Sequence, residues 1–264
     1  MTDLDQDVSI RLQPTQPDRP FLLASDIDGT LLGDEAGEAQ LKKFIENHRE
    51  SLALAFVTGR TLESVMRLIE EGRLPTPDFI ASSVGTELFA YRDPENALGH
   101  RYAAQVTPAW DLETVYAIGE GEGIHRQTFI GGHPRFQAGF AWDGEAESLA
   151  AFHRRFEDRK EYCILPSFGQ FIDVLPVQLG KGAVVQFLQE ALELSPERVV
   201  VAGDSGNDRE MFATPYKGIF PANGLDELKT FVDQPWHYHS PLPAARGVID
   251  GLHHFGFVSI ETTD

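Results

Sequence analysis

The chain has 264 residues, enough for one large domain or two modest ones with ample core, and its 42% hydrophobic and 24% charged content is ordinary for a globular protein. Lys and Arg number 22 against 41 Asp and Glu, a formal charge of −19, which argues against nucleic acid or an anionic membrane as partner. The lone Cys163 excludes an internal disulfide, no apolar run approaches the ~18 residues of a membrane span, and the acidic N-terminus does not read as a signal peptide. The expectation is a cytoplasmic enzyme.

Residues 1–19 are polar and rich in Asp, Gln and Pro and read as a loose tail. Phe21-Leu22-Leu23-Ala24 then forms a short apolar run that ends in Ser25-Asp26-Ile27-Asp28-Gly29-Thr30, a buried strand expected near the centre of a parallel sheet. Glu38 to Glu50 place Leu41, Phe44 and Ile45 at helical spacing. A second apolar strand over 51–57 stops at Thr58-Gly59-Arg60, and Thr61 can cap the helix that follows. A third strand over 78–84 closes on Gly85-Thr86-Glu87. Strands separated by helices predict right-handed βαβ units.

From about Ala90 the texture changes. Segments such as 136–142 alternate like half-exposed strands, helical pieces are expected at 109–118 and 145–157, and an inserted α+β domain over 90–170 is the reading. Phe171 to Leu175 is then taken as the return to the core rhythm. A helix from Lys181, a strand over 198–202 ending in Gly203-Asp204-Ser205-Gly206-Asn207-Asp208, a short strand at 217–220 and a helix over 244–254 complete it. The fold class is therefore α/β: a Rossmann-like parallel-sheet core over 20–89 and 171–264, with an inserted α+β domain.

The polar clusters all follow apolar strands, where open α/β sheets place their ligand crevice. Asp26 and Asp28 stand two residues apart and repel each other unless a metal ion or a shared proton lies between them. An Asp-Gly pair also suits a turn or an N-cap. A calcium loop fails on spacing, since positions six and twelve from Asp26 are Leu31 and Gly37. Asp204 and Asp208 add carboxylates to a hard oxygen site suited to magnesium. Thr58 and Gly59 at a helix start can hold phosphate oxygens, Asn207 lies in the last acidic loop, and Lys181 offers a point charge. Gly180-Lys181-Gly182 is not a P-loop, because the hydroxyl residue after Lys and the upstream Gly are missing.

The order of these motifs resembles that of the haloacid-dehalogenase-like phosphatases, and the insertion sits where their C2-type caps do. The likeness covers residues 20–255 and is greatest to the sucrose-phosphate phosphatase group, carried by SDIDGT (25–30), VTGR (57–60), SVGTE (83–87), DVLPVQLGKG (173–182), GDSGND (203–208) and Pro221-Ala222-Asn223-Gly224. The resemblance implies Asp26 as nucleophile and Asp28 as general acid/base, with an aspartyl-phosphate intermediate. It implies magnesium on Asp26, on Asp204 and on the backbone carbonyl of Asp28, with Asp208 directly or through water. Thr58, Gly59, Lys181 and Asn207 would hold the phosphate.

It further implies a sugar phosphate as substrate, sucrose 6-phosphate first, with a sugar-phosphate synthase as a conceivable partner and a monomeric or weakly associating chain. A phosphatase for another glycosyl phosphate such as a mannosylglycerate type, a phosphomutase, and a non-catalytic synthase partner are the alternatives. Arg60 and Glu87 are candidates to reach the sugar. Where related caps carry Lys-Ile/Val-Ser, this chain reads His133-Pro134-Arg135-Phe136-Gln137, which makes Arg135 the candidate sugar donor and departs from the pattern. Trp110, Trp142 and Tyr162 suit either sugar stacking or a core, and the histidines at 237, 239, 253 and 254 look metal-like only at a glance.

Overall fold

In the computed structural model, residues 21–106, 110–129, 133–167, 169–229 and 233–257 are described. The tail expected over 1–19 lies outside them. Strand β1 (Phe21–Ser25) is followed by α1 (Glu35–Asn47), β2 (Leu52–Val57), α2 (Leu62–Glu70), β3 (Phe79–Ser82), β4 (Glu87–Ala90) and α3 (Ala97–Ala103). Next come α4 (Leu112–Gly119), β5 (Ile124–Arg126), β6 (Ala138–Trp142), α5 (Ala146–Arg155), β7 (Tyr162–Ser167) and β8 (Phe171–Pro176). The chain closes with α6 (Lys181–Ala191), β9 (Val199–Ala202), α7 (Arg209–Phe212), β10 (Lys217–Phe220), α8 (Asp226–Lys229), β11 (His237–His239) and α9 (Ala244–His254).

The larger sheet has seven strands in the order β11-β10-β9-β1-β2-β3-β4, parallel throughout except for β4. Its central strands β1, β2, β3 and β9 are almost wholly apolar because both faces are covered. Leu22 and Ala24 of β1 face one core cluster with Val184, Val185 and Leu188 of α6; Phe21 and Leu23 face another with Phe44, Val65 and Val248 of α1, α2 and α9. The expected Rossmann-like core and the central place of β1 are thus observed. Among the described residues no helix is long and apolar enough to cross a membrane.

The insertion carries an antiparallel sheet in the order β5-β6-β8-β7. Period-two alternation divides its faces. Ala138, Phe140, Ile172 and Val174 pack with Val115, Tyr116 and Phe152 of α4 and α5, whereas Gln137, Phe171 and Asp173 take the opposite face, toward the larger domain. Two boundaries are therefore corrected. Residues 171–176 belong to the inserted sheet, between β6 and β7, and not to the core. A short apolar strand reads alike in either sheet, and only its pairing decides. Conversely, Leu98 and Tyr102 of α3 pack in the main core, so the insertion starts near Trp110.

The loops at the carboxyl edge of the larger sheet are locked together. Ser83, Val84 and Gly85 all have left-handed φ (54°, 59° and 78°), and a Cβ on Gly85 would lie 2.8 Å from the Gly180 backbone. The buried Tyr102 hydroxyl donates to the Gly85 carbonyl at 3.0 Å and accepts from the Gly180 N–H at 3.3 Å, which sets the loop that starts α6. Tyr102→Phe leaves both backbone groups buried and unpaired, so it is expected to lower unfolding free energy by about 1–3 kcal/mol in urea denaturation.

Candidate active site

Asp26 extends the ladder of β1 by donating its N–H to Ala202 of β9 at 2.9 Å, which sets its carboxylate beside the loop after β9. Lys181, the first residue of α6, is completely buried under it. Its three ammonium hydrogens have three acceptors: Asp26 Oδ1 at 2.7 Å, Asp208 Oδ1 at 2.6 Å and Asn207 Oδ1 at 3.0 Å. Asp208 Oδ2 in turn accepts from the backbone N–H groups of Asp204 and Ser205 at 3.0 and 3.1 Å. Thr30 donates to Asp204 Oδ1 at 2.9 Å. Gly29, at φ 76°, is needed here, because a Cβ would stand 2.3 Å from Asp204 Oδ2. Asn223 ties this edge by donating to the Gly29 carbonyl at 2.6 Å and accepting from Ala244 N–H at 2.7 Å.

Carboxylate oxygens of Asp26, Asp204 and Asp208 lie within 4.8 Å of one another, all buried. One ammonium cannot neutralise three carboxylates. Burial drives Asp26 well above the ordinary carboxylate range; Lys181 opposes this, and Asp208 and Asp204 reinforce it. Asp204 is pushed to about 7 by burial and by Asp208. Burial alone would lower the Lys181 ammonium, but Asp208 and Asp26 outweigh it and hold the proton on. This oxygen-rich, charge-deficient cluster fits a divalent cation.

Asp28 turns away from that cluster. It is half exposed, and Arg60 grips it with two hydrogen bonds of 2.7 and 2.6 Å while donating to Ser64 at 2.9 Å. Thr58 is buried, and its hydroxyl accepts from Arg60 N–H at 3.2 Å. The turn it begins is clamped from β3, with Val84 N–H on the Thr58 carbonyl and Ser83 N–H on that of Arg60, both at 2.8 Å. Thr61 caps α2 through Ser64 N–H, as its sequence position predicts.

A cavity of about 320 Å³ opens above these groups. From the core, Asp26, Asp28, Gly59, Arg60, Thr61, Ser64 and Asn207 line it; from the insertion, Gln127, Thr128, Phe129, Gln137, Phe171 and Asp173 do. The structure thus brings together Asp26, Asp28, Gly59, Arg60 and Asn207 at one wall, with Lys181, Asp204 and Asp208 packed behind. It does not bring Glu87 and Arg135 there. They border a smaller hollow of about 150 Å³ with Asn96, His100 and Phe136, because the turn before β6 carries Arg135 to the hinge side, its guanidinium 4.6 Å from the Phe136 ring centroid. Neither of these two sugar-ligand candidates lines the larger cavity.

Trp110 and Tyr162 meet edge to face at 5.8 Å in the core of the insertion, and Trp142 donates to the Gly169 carbonyl at 2.6 Å. The rings on the cavity are Phe129 and Phe171. His254 stacks on Tyr238 at 3.9 Å, and among the described residues the three aspartates are the only metal-capable group of this kind.

Sequence reasoning missed Gln137 and Asp173. The signal was an acid inside the apolar run 171–175, which a buried strand tolerates only with a purpose. Gln137 Nε2 donates to Asp173 Oδ1 at 2.7 Å, and burial raises the Asp173 carboxyl to about 6 despite the opposing effects of Gln137 and Lys181. A raised folded-state value means that the folded chain holds this proton up to about pH 6, whereas the unfolded chain releases it near pH 4, at its value of about 3.9. Stability carried by the neutral form is therefore lost as pH rises through about 6. Asp173→Asn should exceed the parent chain in stability by about 1–3 kcal/mol at pH 7.5, the difference closing toward pH 4, measured by urea denaturation at both values.

Comparison with known proteins agrees with this geometry. The chain is 32% identical to mannosylfructose-phosphate phosphatase of Agrobacterium fabrum, over 89% of this chain and 96% of that protein. It is 28% identical to sucrose-phosphatase 1 of Nicotiana tabacum, over 89% of this chain but 59% of the tobacco protein. It also matches glucosylglycerol-phosphate synthase of Pseudomonas anguilliseptica at 31% identity, over 90% of this chain and 31% of that enzyme. The sucrose-phosphatase of Synechocystis, solved with sucrose and phosphate, superposes with a TM-score of 0.83 at 29% identity, covering 91% of this chain and all of that one. Residues 19–256 match the model of the sucrose-6F-phosphate phosphohydrolases, and the chain belongs to that family of haloacid-dehalogenase-like phosphatases.

Proposed function

We propose that the protein is a magnesium-dependent phosphatase that hydrolyses sucrose 6-phosphate to sucrose and phosphate through an aspartyl-phosphate on Asp26. The observation that carries this reading is the buried Lys181–Asp26 contact at the floor of a cavity that Asp28 also lines. Magnesium, held by Asp26, Asp204 and Asp208 with the Asp28 backbone carbonyl, would supply the missing positive charge, keeping Asp26 ionised and offsetting charge on the phosphate oxygens.

The chain's own groups do the rest. An Asp26 carboxylate oxygen attacks phosphorus as the bond to the sugar oxygen breaks. Asp28 delivers a proton to that leaving oxygen. The arriving phosphate competes with Asp28 for the Arg60 guanidinium, which frees Asp28 for this transfer. Asp28 then takes a proton from water, which attacks the aspartyl-phosphate, releases phosphate and restores Asp26. Gly59 at the helix entrance and the Asn207 side chain orient the phosphate, with Thr58 setting the turn.

The sucrose-phosphatases among the relatives support sucrose 6-phosphate. The Agrobacterium relative favours a second substrate of the same class, mannosylfructose phosphate, because it matches along almost its whole length. The chain would act in the cytoplasm as a monomer or weak oligomer, supplied by a sugar-phosphate synthase.

Phosphate release from a panel of sugar phosphates, with magnesium and with chelator, tests this. Turnover of sucrose 6-phosphate far above glucose 6-phosphate and fructose 6-phosphate, abolished by chelator, is expected; no release from any ester overturns the reading. Asp26→Asn should lower turnover by at least about 10³-fold, with no loss of stability in urea denaturation.

A further inference from the structure

Residues 83–86 join β3 to β4, and the turn they make is strained. Ser83 and Val84 have φ of 54° and 59°, and Gly85 follows at 78°, so successive residues are left-handed. Among the described residues no other two adjacent non-glycine residues share that conformation. For a β-branched side chain it is a true outlier, and such strain persists only where the surroundings enforce it. Val84 is buried at 1% exposure, and it packs with Leu165 of β7 and Leu175 of β8, both on the insertion. Glu87 accepts from the Ser83 hydroxyl at 3.0 Å, and its other oxygen accepts from the Arg135 N–H of the insertion at 3.4 Å.

The backbone of the same turn serves the loop after β2. Val84 donates its N–H to the Thr58 carbonyl and Ser83 to the Arg60 carbonyl, both at 2.8 Å. Those two carbonyls bracket Gly59, and Gly59 and Arg60 line the larger cavity. In a right-handed or extended conformation the two N–H groups point elsewhere, and both carbonyls lose their donors. Arg60 also grips Asp28, so a shift of its backbone is carried to that carboxylate. The strained turn therefore meets the insertion through a side chain and the Thr58-Gly59-Arg60 turn through its backbone. Neither Leu165 nor Leu175 lines the cavity, so neither acts by touching a ligand there.

We propose that the insertion holds the Thr58-Gly59-Arg60 turn in its phosphate-binding shape, with Val84 as the positioning residue between them. Leu165 and Leu175 bury the Val84 side chain, and that burial offsets the cost of the left-handed backbone. Without it, Ser83 and Val84 relax toward negative φ and release the Thr58 and Arg60 carbonyls. The insertion thereby contributes to binding of the phosphate group itself, through residues that never touch the ligand. The consequence for phosphate rests on the phosphatase reading; the mechanics do not, because the hydrogen bonds belong to the free protein.

Leu175→Ala removes the support from the insertion side, and Leu175→Met restores most of its volume. Ile124→Ala makes a deletion of the same size in the insertion's own core, away from Val84. Hydrogen exchange of the Ser83 and Val84 amides is followed by NMR in the free proteins, each shown folded by urea denaturation. Leu175→Val, a smaller deletion at the same contact, takes the place of Leu175→Ala if that variant does not fold. Leu175→Ala should accelerate exchange of both amides by at least ~10-fold, with Leu175→Met and Ile124→Ala within about 2-fold of the parent. Calorimetry with inorganic phosphate and magnesium should show ~10-fold weaker binding for Leu175→Ala alone. Equal acceleration in Leu175→Ala and Ile124→Ala, or none in either, overturns the inference, as does selective acceleration with unchanged phosphate affinity. If the parent chain binds no phosphate, the phosphatase reading fails, and the exchange rates alone decide the role of Val84.

Discussion

Everything at the carboxyl edge of the larger sheet depends on one buried ammonium. Lys181 binds Asp26, Asp208 and Asn207 at once, and its burial is complete. Taking such charges out of water is costly, and the attraction compensates only when every lone pair and proton is used. That condition explains the surrounding construction. Asp208 is held by two backbone N–H groups, Asp204 by Thr30, and the loop that launches α6 by the Tyr102 hydroxyl. Even so the charges do not balance, and Asp26 and Asp204 are both driven upward. The oxygen-rich, charge-deficient chemistry of the cluster fits a divalent cation.

Two sheets with different habits make the cavity. The parallel sheet buries both faces at its centre, so β1, β2 and β9 carry little polar information along their length and most of it at their ends. The inserted sheet buries one face on α4 and α5 and turns the other to those ends. Alternation divides the roles within β6 and β8: Ala138, Phe140, Ile172 and Val174 build a core, while Phe171 and Asp173 line the cavity. Cys163 on β7 extends the contact between the units, its thiol donating to Glu210 at 3.5 Å, while Leu165 and Leu175 pack on Val84.

This division also explains what could be read from the chain. The parallel core and its acids were legible because each chemical group sits within a few residues of the strand that places it: Asp26 after β1, Thr58 after β2, Asp204 after β9. The helix over 244–254 and the cap at Thr61 were equally local. The boundary at 171 was not, since Phe171 to Leu175 has the same apolar look in either sheet and hydrogen-bonds to β6 and β7 rather than to the core. Arg135 looked like a ligand by chemical analogy, yet a turn two residues before Gln137 sends it to the hinge. Gln137, uncharged and inconspicuous, faces the cavity instead. Ligand contacts from an inserted sheet are set by pairing and by face, neither of which a motif encodes.

The charge of the whole protein makes the inner arrangement more demanding. At −19, its surface repels a phosphate ester, so recognition must come from short-range groups inside the cavity. Those groups are an ammonium, a guanidinium and an acid triad suited to a divalent ion on the core side, and the hydrogen-bonded pair Gln137 and Asp173 on the side of the insertion. Asp173, raised to about 6 by its burial, destabilises the folded chain above that pH.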